Sequence, residues 1–341
     1  MKKILIIALA LLLGICLLAA CGANENEGDT TDAETEEVTT EVATTEEATT
    51  EEVTTEAATT EEVTTEEITT EEATTEEETT EEVTTEEAPK YDFSGAASEK
   101  LAEIAYKMAT AEEYVIFTIG DSVTQGQQAS DPKTTDYTGR FAVKLADVFS
   151  DKTIYRYDGI ANSSWDSIYF NKRGIRVQNG TNGRINIARC GLGGDTTGKT
   201  LNRKDDFINK EINGRTGDLF TICLGINDSW PGKPSIDVYK ENLGLLVDEI
   251  LAAHPDADII LMTPTYVTDN PARPLIDFAN AMKAVAAEKD LAYIDLNAMF
   301  NENYAKSEPE DWMADNCHPN DTGYNEIANE MIRCIFGIEM E

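Results

Sequence analysis

The sequence predicts an α/β domain built on an open, parallel sheet, occupying residues 90–341 behind a leader and a linker. Three observations carry this reading. Past Pro89, apolar runs of strand length alternate with amphipathic stretches of helix length. Clusters rich in glycine and polar residues follow those apolar runs directly, where open parallel sheets bind ligands. The domain, 252 residues long, can bury a substantial core as one unit.

The chain begins with Lys2 and Lys3, an apolar run from Ile4 to Leu18, and then Ala19-Ala20-Cys21. Such a run is short for a membrane span and has the order of an export signal. Leu18-Ala19-Ala20-Cys21 resembles the lipobox of bacterial lipoproteins, which implies cleavage before Cys21 and lipidation of that residue. Residues 1–21 are thus expected to be a lipoprotein signal peptide and lipidation site. The chain is then lipid-anchored to the cell membrane on the extracellular, cell-surface side.

Residues 22–89 are dominated by a period of five, Thr-Thr-Glu-Glu-Xaa, from Thr39 to Ala88. Five matches neither helix nor strand periodicity. With no aromatic residue and dense like charge, the segment cannot bury enough apolar surface to offset its ordering entropy, and a disordered, self-repelling acidic spacer is expected. Its threonines would also permit glycosylation.

Beyond Pro89, Leu101, Ile104, Ala105 and Met108 fall on one face of an opening helix. Tyr114 to Thr118 then reads as a buried strand leading into Gly120-Asp121-Ser122, which puts Ser122 at a strand's carboxyl end. Strands are expected at 185–188, 219–224, 259–262 and 292–294, and helices at 137–149, 236–253, 275–289 and 322–336. No strand or helix is assigned between 150 and 184.

Charge narrows the classes of partner. The chain has 27 basic and 65 acidic residues, of which residues 22–89 hold 26 acidic and none basic; with Lys2 and Lys3 outside it, the domain keeps 25 basic and 39 acidic groups, a net charge of −14. An acidic domain of this kind has no general attraction for phosphate backbones, so no nucleic acid is expected as a partner.

Four blocks are expected just outside the carboxyl ends of strands: Gly120-Asp121-Ser122-Val123-Thr124-Gln125-Gly126, Gly191-Leu192-Gly193-Gly194-Asp195-Thr196, Gly225-Ile226-Asn227-Asp228 and Asp315-Asn316-Cys317-His318-Pro319. In that order they resemble the SGNH, or GDSL-type, hydrolase superfamily over most of residues 114–336. The resemblance implies a flavodoxin-like, three-layer α/β/α fold with a central, mostly parallel sheet. It also implies Ser122 as nucleophile, Asp315 and His318 as its triad partners, and an oxyanion hole from Ser122, Gly194 and Asn227.

The residue types suit that chemistry on their own terms. A serine hydroxyl is a weak nucleophile until a base takes its proton, and the base needs a carboxylate to orient it. The chain has two histidines, and only His318 has an aspartate three residues before it. Asp315 and His318 are expected to reach each other across one turn. Backbone N–H groups and an asparagine amide would stabilise a developing oxyanion without adding charge.

Other patterns are weaker. Gly193 to Thr200 satisfies the phosphate-loop spacing G-x-x-x-x-G-K-[ST], but the helix that should follow is polar at Asn202-Arg203-Lys204-Asp205-Asp206, which disfavours nucleotide binding. No G-x-S-x-G elbow is present. His254, before Pro255, reads as a helix-end residue, and two histidines 64 residues apart give no zinc spacing. No metal or cofactor is required. Asp195, Thr196 and Asp228 read as caps or turn formers. Cys223 reads as core, and Cys190, Cys223, Cys317 and Cys334 permit but do not demand disulfides.

A tethered surface domain with no long apolar lid suits an extracellular serine esterase that removes O-acyl groups, above all O-acetyl, from a carbohydrate. Trp165, with Tyr169, Trp230 and Trp312 offer aromatic faces for sugar rings, or simply pack. The alternatives are a lysophospholipase or other lipid esterase, and a non-catalytic carbohydrate-binding protein on the same fold. Neither oligomeric state nor the particular ester follows from the sequence.

Overall fold

A computed structural model describes residues 90–268 and 273–340. The leader at 1–21, with Cys21, and the linker at 22–89 lie outside the described residues, as do the boundaries drawn between them.

The core is one eight-stranded sheet in the order β3-β2-β5-β1-β6-β7-β8, with β4 also paired to β2. The strands are β1 (Glu113–Gly120), β2 (Thr153–Ala161), β3 (Ile168–Phe170), β4 (Ile175–Gln178), β5 (Arg184–Gly191), β6 (Leu219–Cys223), β7 (Asp258–Met262) and β8 (Ala292–Ile294). From β2 to β8 every pairing along this path is parallel, and only β3 and β4 run antiparallel against β2.

The central strand shows why parallel strands read as unbroken apolar runs. From Tyr114 onward every residue of β1 is buried, with Tyr114 and Ile116 entering one core and Val115, Phe117 and Ile119 the other. A strand buried on both faces has no position for a solvated side chain. The first core is roofed by α1 (Glu99–Thr110), α3 (Tyr137–Val148), α8 (Leu296–Tyr304) and α9 (Asp321–Phe336). The second is roofed by α6 (Ile236–Ala253) and α7 (Leu275–Glu288). Short helices α2 (Ser122–Gln125), α4 (Thr197–Asn202) and α5 (Ile226–Ser229) sit at strand ends. The three-layer α/β/α fold and its mostly parallel sheet match the expectation.

Two parts of the fold depart from the sequence reading. Helix α8 follows Asp295, whose carboxylate caps it by accepting from the Ala298 N–H at 3.1 Å. Strands β2 to β4 occupy a stretch given no element. In β2, Arg156 and Asp158 break the apolar pattern, yet Arg156 is only 1% exposed. Its guanidinium is buried because it meets Asp136 and Asp158 there, and Arg189 of β5 meets the same two carboxylates. A buried charge is tolerated when paired and hydrogen-bonded, and such pairs hide a strand from any hydropathy pattern.

The four domain cysteines are all free, so none of the disulfides that the sequence permitted forms. His254 ends α6: its N–H donates to the Ile250 carbonyl at 2.8 Å, its ring bonds the Ile208 carbonyl at 2.7 Å and stacks on Phe220.

Candidate active site

Register brings three loops to one edge of the sheet. Gly120 at the end of β1 pairs with Gly191 at the end of β5 and with Cys223 at the end of β6. The residues just beyond are therefore level: Ser122, the Gly193-Gly194 turn, and Asn227. Close approach demands glycine at position 191, where a Cβ would lie 2.1 Å from the Gln125 nitrogen and 2.4 Å from the Thr124 carbonyl carbon. Helix α2 thus rests directly on the end of β5.

Ser122 opens α2, with Asp121 as its cap accepting from the Val123 N–H at 2.9 Å. Its Oγ lies 2.9 Å from His318 Nε2. His318 Nδ1 lies 2.8 Å from one Asp315 carboxylate oxygen and 3.0 Å from the other. Ser122 and His318 are both nearly buried.

Asp315 and His318 meet through a loop turn and not through a helical one. The Asp315 Oδ1 accepts the N–H of Cys317 at 2.9 Å and of His318 at 2.8 Å. A short antiparallel bridge between Met313 and Pro319 closes this turn, with Ala314 N–H donating to the His318 carbonyl at 2.9 Å. An aspartate that bonds its own following backbone pins its side chain. Gln128 donates to the second carboxylate oxygen at 3.2 Å.

Burial works against the charged form of Asp315, but the Cys317 N–H and the His318 imidazole and N–H outweigh it and hold the carboxyl at about 2. An ionised carboxylate only accepts, so Nδ1 carries the ring proton and the Nε2 lone pair faces the serine hydroxyl.

Asn227 stands in α5. Its amide donates to the Asp195 carbonyl at 2.9 Å and approaches Asp121 Oδ2 at 3.5 Å. It therefore links the chain neighbour of Gly194 to the chain neighbour of Ser122. Gly194 has φ +79, a conformation that favours glycine, and Lys199 donates to its carbonyl at 3.1 Å. The neighbouring Gly193 N–H is taken by Gln125 Oε1 at 3.0 Å. Ser122, Gly194 and Asn227 thus converge on one edge, with the serine, histidine and aspartate in a continuous hydrogen-bonded line.

Behind them lie Asp121, Asp195 and Asp228. Burial, with the Asp228 and Asp195 charges behind it, pushes Asp121 up to about 7 despite the Val123 N–H. Asp195 is paired with Arg203 at 2.6 Å, and Asp228 accepts from the Thr197 hydroxyl at 2.7 Å. Thr196 caps α4, as expected of it. These contacts also dissolve the phosphate-loop pattern. Thr200 bonds Asp195 at 3.1 Å, Lys199 turns back on Gly194, and the helix that follows is six residues long.

Among the described residues, Asp315, Cys317 and His318 offer three potential metal-ligand atoms within 4.8 Å of one another. The set is a poor one for a metal, because burial pushes the Cys317 thiol up to about 12 and His318 Nδ1 is committed to Asp315. Trp312 packs against Phe300 in the core. Trp165, by contrast, is 58% exposed and lines a cleft of about 520 Å³ with Gln125, Gln127 and Gly193. The sequence reading missed what Gln125, Gln128 and Asp121 do here. Gln125 and Asp121 lay inside a quoted block, but only the fold reveals their partners.

A fold of this topology with this edge constellation defines an acylhydrolase. Residues 118–325 match the GDSL-like Lipase/Acylhydrolase family. The chain belongs to that family and is a carboxylic ester hydrolase. It is similar to an acetylxylan esterase of Geobacillus stearothermophilus, with 28% identity over 160 residues, 44% of this chain and 71% of the relative. A solved acetyl xylan esterase structure from the same organism is 23% identical with a TM-score of 0.48, covering 67% of this chain and 97% of that one. A two-domain esterase active on acetylated mannans, co-crystallised with mannopentaose, is 17% identical with a TM-score of 0.50, covering 72% of this chain and 56% of that one.

Proposed function

We propose that the domain is a carbohydrate O-acetyl esterase that works through Ser122, His318 and Asp315 and an acyl-enzyme. The observation that carries this reading is the line from Ser122 Oγ to His318 Nε2 at 2.9 Å and from Nδ1 to Asp315 at 2.8 Å. The similarity to an acetylxylan esterase supports the acetyl-carbohydrate substrate.

In this mechanism Ser122 attacks the ester carbonyl as His318 Nε2 takes its proton, and Asp315 stabilises the imidazolium. The Ser122 and Gly194 N–H groups and the Asn227 amide receive the oxyanion. Asn227 gives one N–H to the Asp195 carbonyl at 2.9 Å, which orients the amide, and its long 3.5 Å approach to Asp121 Oδ2 gives way as the oxyanion forms. His318 then protonates the leaving sugar hydroxyl. Water, deprotonated by the same nitrogen, releases acetate from Ser122, and no cofactor enters any step.

The reading extends to place: a lipoprotein anchored through Cys21 and held off the cell surface by the acidic spacer. Cys21→Ser should then abolish incorporation of labelled palmitate and release the protein from membranes; retention of both would contradict the anchor. For the substrate, acetylated xylan, acetylated peptidoglycan and lysophospholipid should be compared with purified protein. Acetate release from xylan with no lysophospholipid turnover is expected, and the reverse preference would overturn the carbohydrate assignment.

A further inference from the structure

Trp165 occupies a position that packing does not explain. At 58%, Trp165 is the most exposed large hydrophobic side chain among the described residues, and Tyr169 of the same hairpin, 53% exposed, stands near it in sequence. The Trp165 φ of +55 lies in the left-handed region, which bulky residues adopt only under constraint. Among the described residues, its indole has neither a ring contact nor a hydrogen-bond partner.

The constraint is visible. Trp165 tips the hairpin between β2 and β3, where Asn162 N–H donates to the Ser167 carbonyl at 3.0 Å and Trp165 N–H to the Asn162 carbonyl at 3.2 Å. The foot of the hairpin is moored by Asp206, which accepts the Ser167 hydroxyl at 2.6 Å and the Ile168 N–H at 2.8 Å. Arg203 lies 3.6 Å from Asp206 and 2.6 Å from Asp195, the residue after Gly194. A chain of ion pairs thus ties the tryptophan's hairpin to the loop beside the nucleophile.

The cleft beside Trp165 is lined by Gly193, which adjoins that nucleophile. A point one bond from the Gly193 Cα lies 3.9 Å from Ser122 Cβ, 2.8 Å from Gln125 Oε1 and 3.8 Å from Gln127 Oε1. Gln125 uses its carbonyl oxygen on Gly193, leaving its NH₂ group, while the exposed Gln127 amide has no partner among the described residues. An aromatic face flanked by neutral amides matches a pyranose, whose axial C–H groups pack on a ring while its hydroxyls bond at the rim. Arg189, which also lines the cleft, is paired with Asp136 and Asp158, so a phospholipid head would meet no free cation there, and the polar amides deny a long acyl chain a wholly apolar wall.

We infer that Trp165, Gln125 and Gln127 form a sugar subsite next to Ser122 that holds a pyranose of the acetylated chain. This rests on the carbohydrate esterase reading and adds the residues that select for it. Trp165 is a specificity residue, not a catalytic one, so its loss should spare small esters.

Full-length protein, Trp165→Ala, Trp165→Phe and Gln127→Ala should be assayed on p-nitrophenyl acetate and on acetylated xylotetraose. On p-nitrophenyl acetate all four should agree within about twofold, which also establishes that the variants fold. On acetylated xylotetraose Trp165→Ala should lose roughly tenfold in kcat/KM, mostly through KM, with Trp165→Phe recovering part of it. Gln127→Ala should raise KM by about threefold. If the parent protein deacetylates xylotetraose and Trp165→Ala keeps its KM, the subsite is wrong while the carbohydrate reading stands. If the parent takes p-nitrophenyl acetate but no acetylated sugar, both fall.

Discussion

At the scale of single residues, the two carboxylate oxygens of Asp315 divide its tasks. Oδ1 closes its own turn on the Cys317 and His318 N–H groups, while Oδ2 faces the imidazole and Gln128. With the carboxyl held at about 2, it is ionised at neutral and mildly acidic pH. Its folded value lies below the ordinary carboxylate value near 3.9, so its contribution to stability is present above about pH 4 and is lost as pH falls toward 2. Acidification to about pH 4 should therefore leave the Asp315 carboxylate charged, and Asp315→Asn should lower kcat by the same factor at pH 5 as at pH 8. A loss that shrinks toward pH 5 would mean that the parent carboxylate is protonated in that range. Asn227→Ala should lower kcat by roughly 10²–10³ while the melting temperature barely moves, since the oxyanion donor acts mainly in the transition state. Loss of stability matching the loss of rate would make the amide a structural tie between Asp195 and Asp121 instead.

At the scale of elements, the strand ends were legible because their chemistry and their burial coincide. The runs leading to Ser122 and Asn227 are apolar on both faces, and the glycines at their ends had no competing pattern to obscure them. The β2 to β4 region was illegible for the converse reason. Arg156 and Arg189 are buried and paired with the partly buried Asp158, and their partner Asp136 lies on another element, the cap of α3. Asp136 also accepts the Gly139 N–H at 2.7 Å. Asp136→Ala should cost roughly 3–5 kcal/mol in urea denaturation, because it leaves two buried guanidiniums short of a carboxylate. A change under about 1 kcal/mol would mean that Asp158 and the loop carbonyls suffice. The cap of α2 behaves differently. Asp121 is raised to about 7 by burial, so folding favours its neutral form, and stability should fall as pH rises from about 4 to 7. Asp121→Asn keeps the Val123 bond and removes that charge, so it should melt higher than the parent at pH 8 and equal to it at pH 3.5. Equal melting at both values would place the Asp121 titration elsewhere.

At the scale of the whole domain, one sheet with two cores carries every residue of the site, and the domain's four cysteines contribute as buried or half-buried thiols. Reductant should leave both melting temperature and ester turnover unchanged, and a drop in either on adding dithiothreitol would point to a bridge. Three of the four sequence blocks lie at strand ends that alternation could find, whereas the Asp315–His318 block, expected at a strand end too, lies in the loop between α8 and α9, where its own turn and not a strand places it. The sugar-facing hairpin escaped notice because its geometry depends on Asp206 and Arg203, residues that in sequence looked only like a polar helix. The two lie close to that hairpin in the fold while separated from it by the whole of β4 and β5. Long-range pairing of this kind leaves no periodic trace.

The most direct test of the central claim is the site of the acyl-enzyme. Protein mixed with p-nitrophenyl acetate and quenched in acid should gain one acetyl mass, located by peptide mass spectrometry on Ser122, and Ser122→Ala should gain none and turn over no ester. An acetyl group found on another residue, or unaltered turnover by Ser122→Ala, would contradict the account.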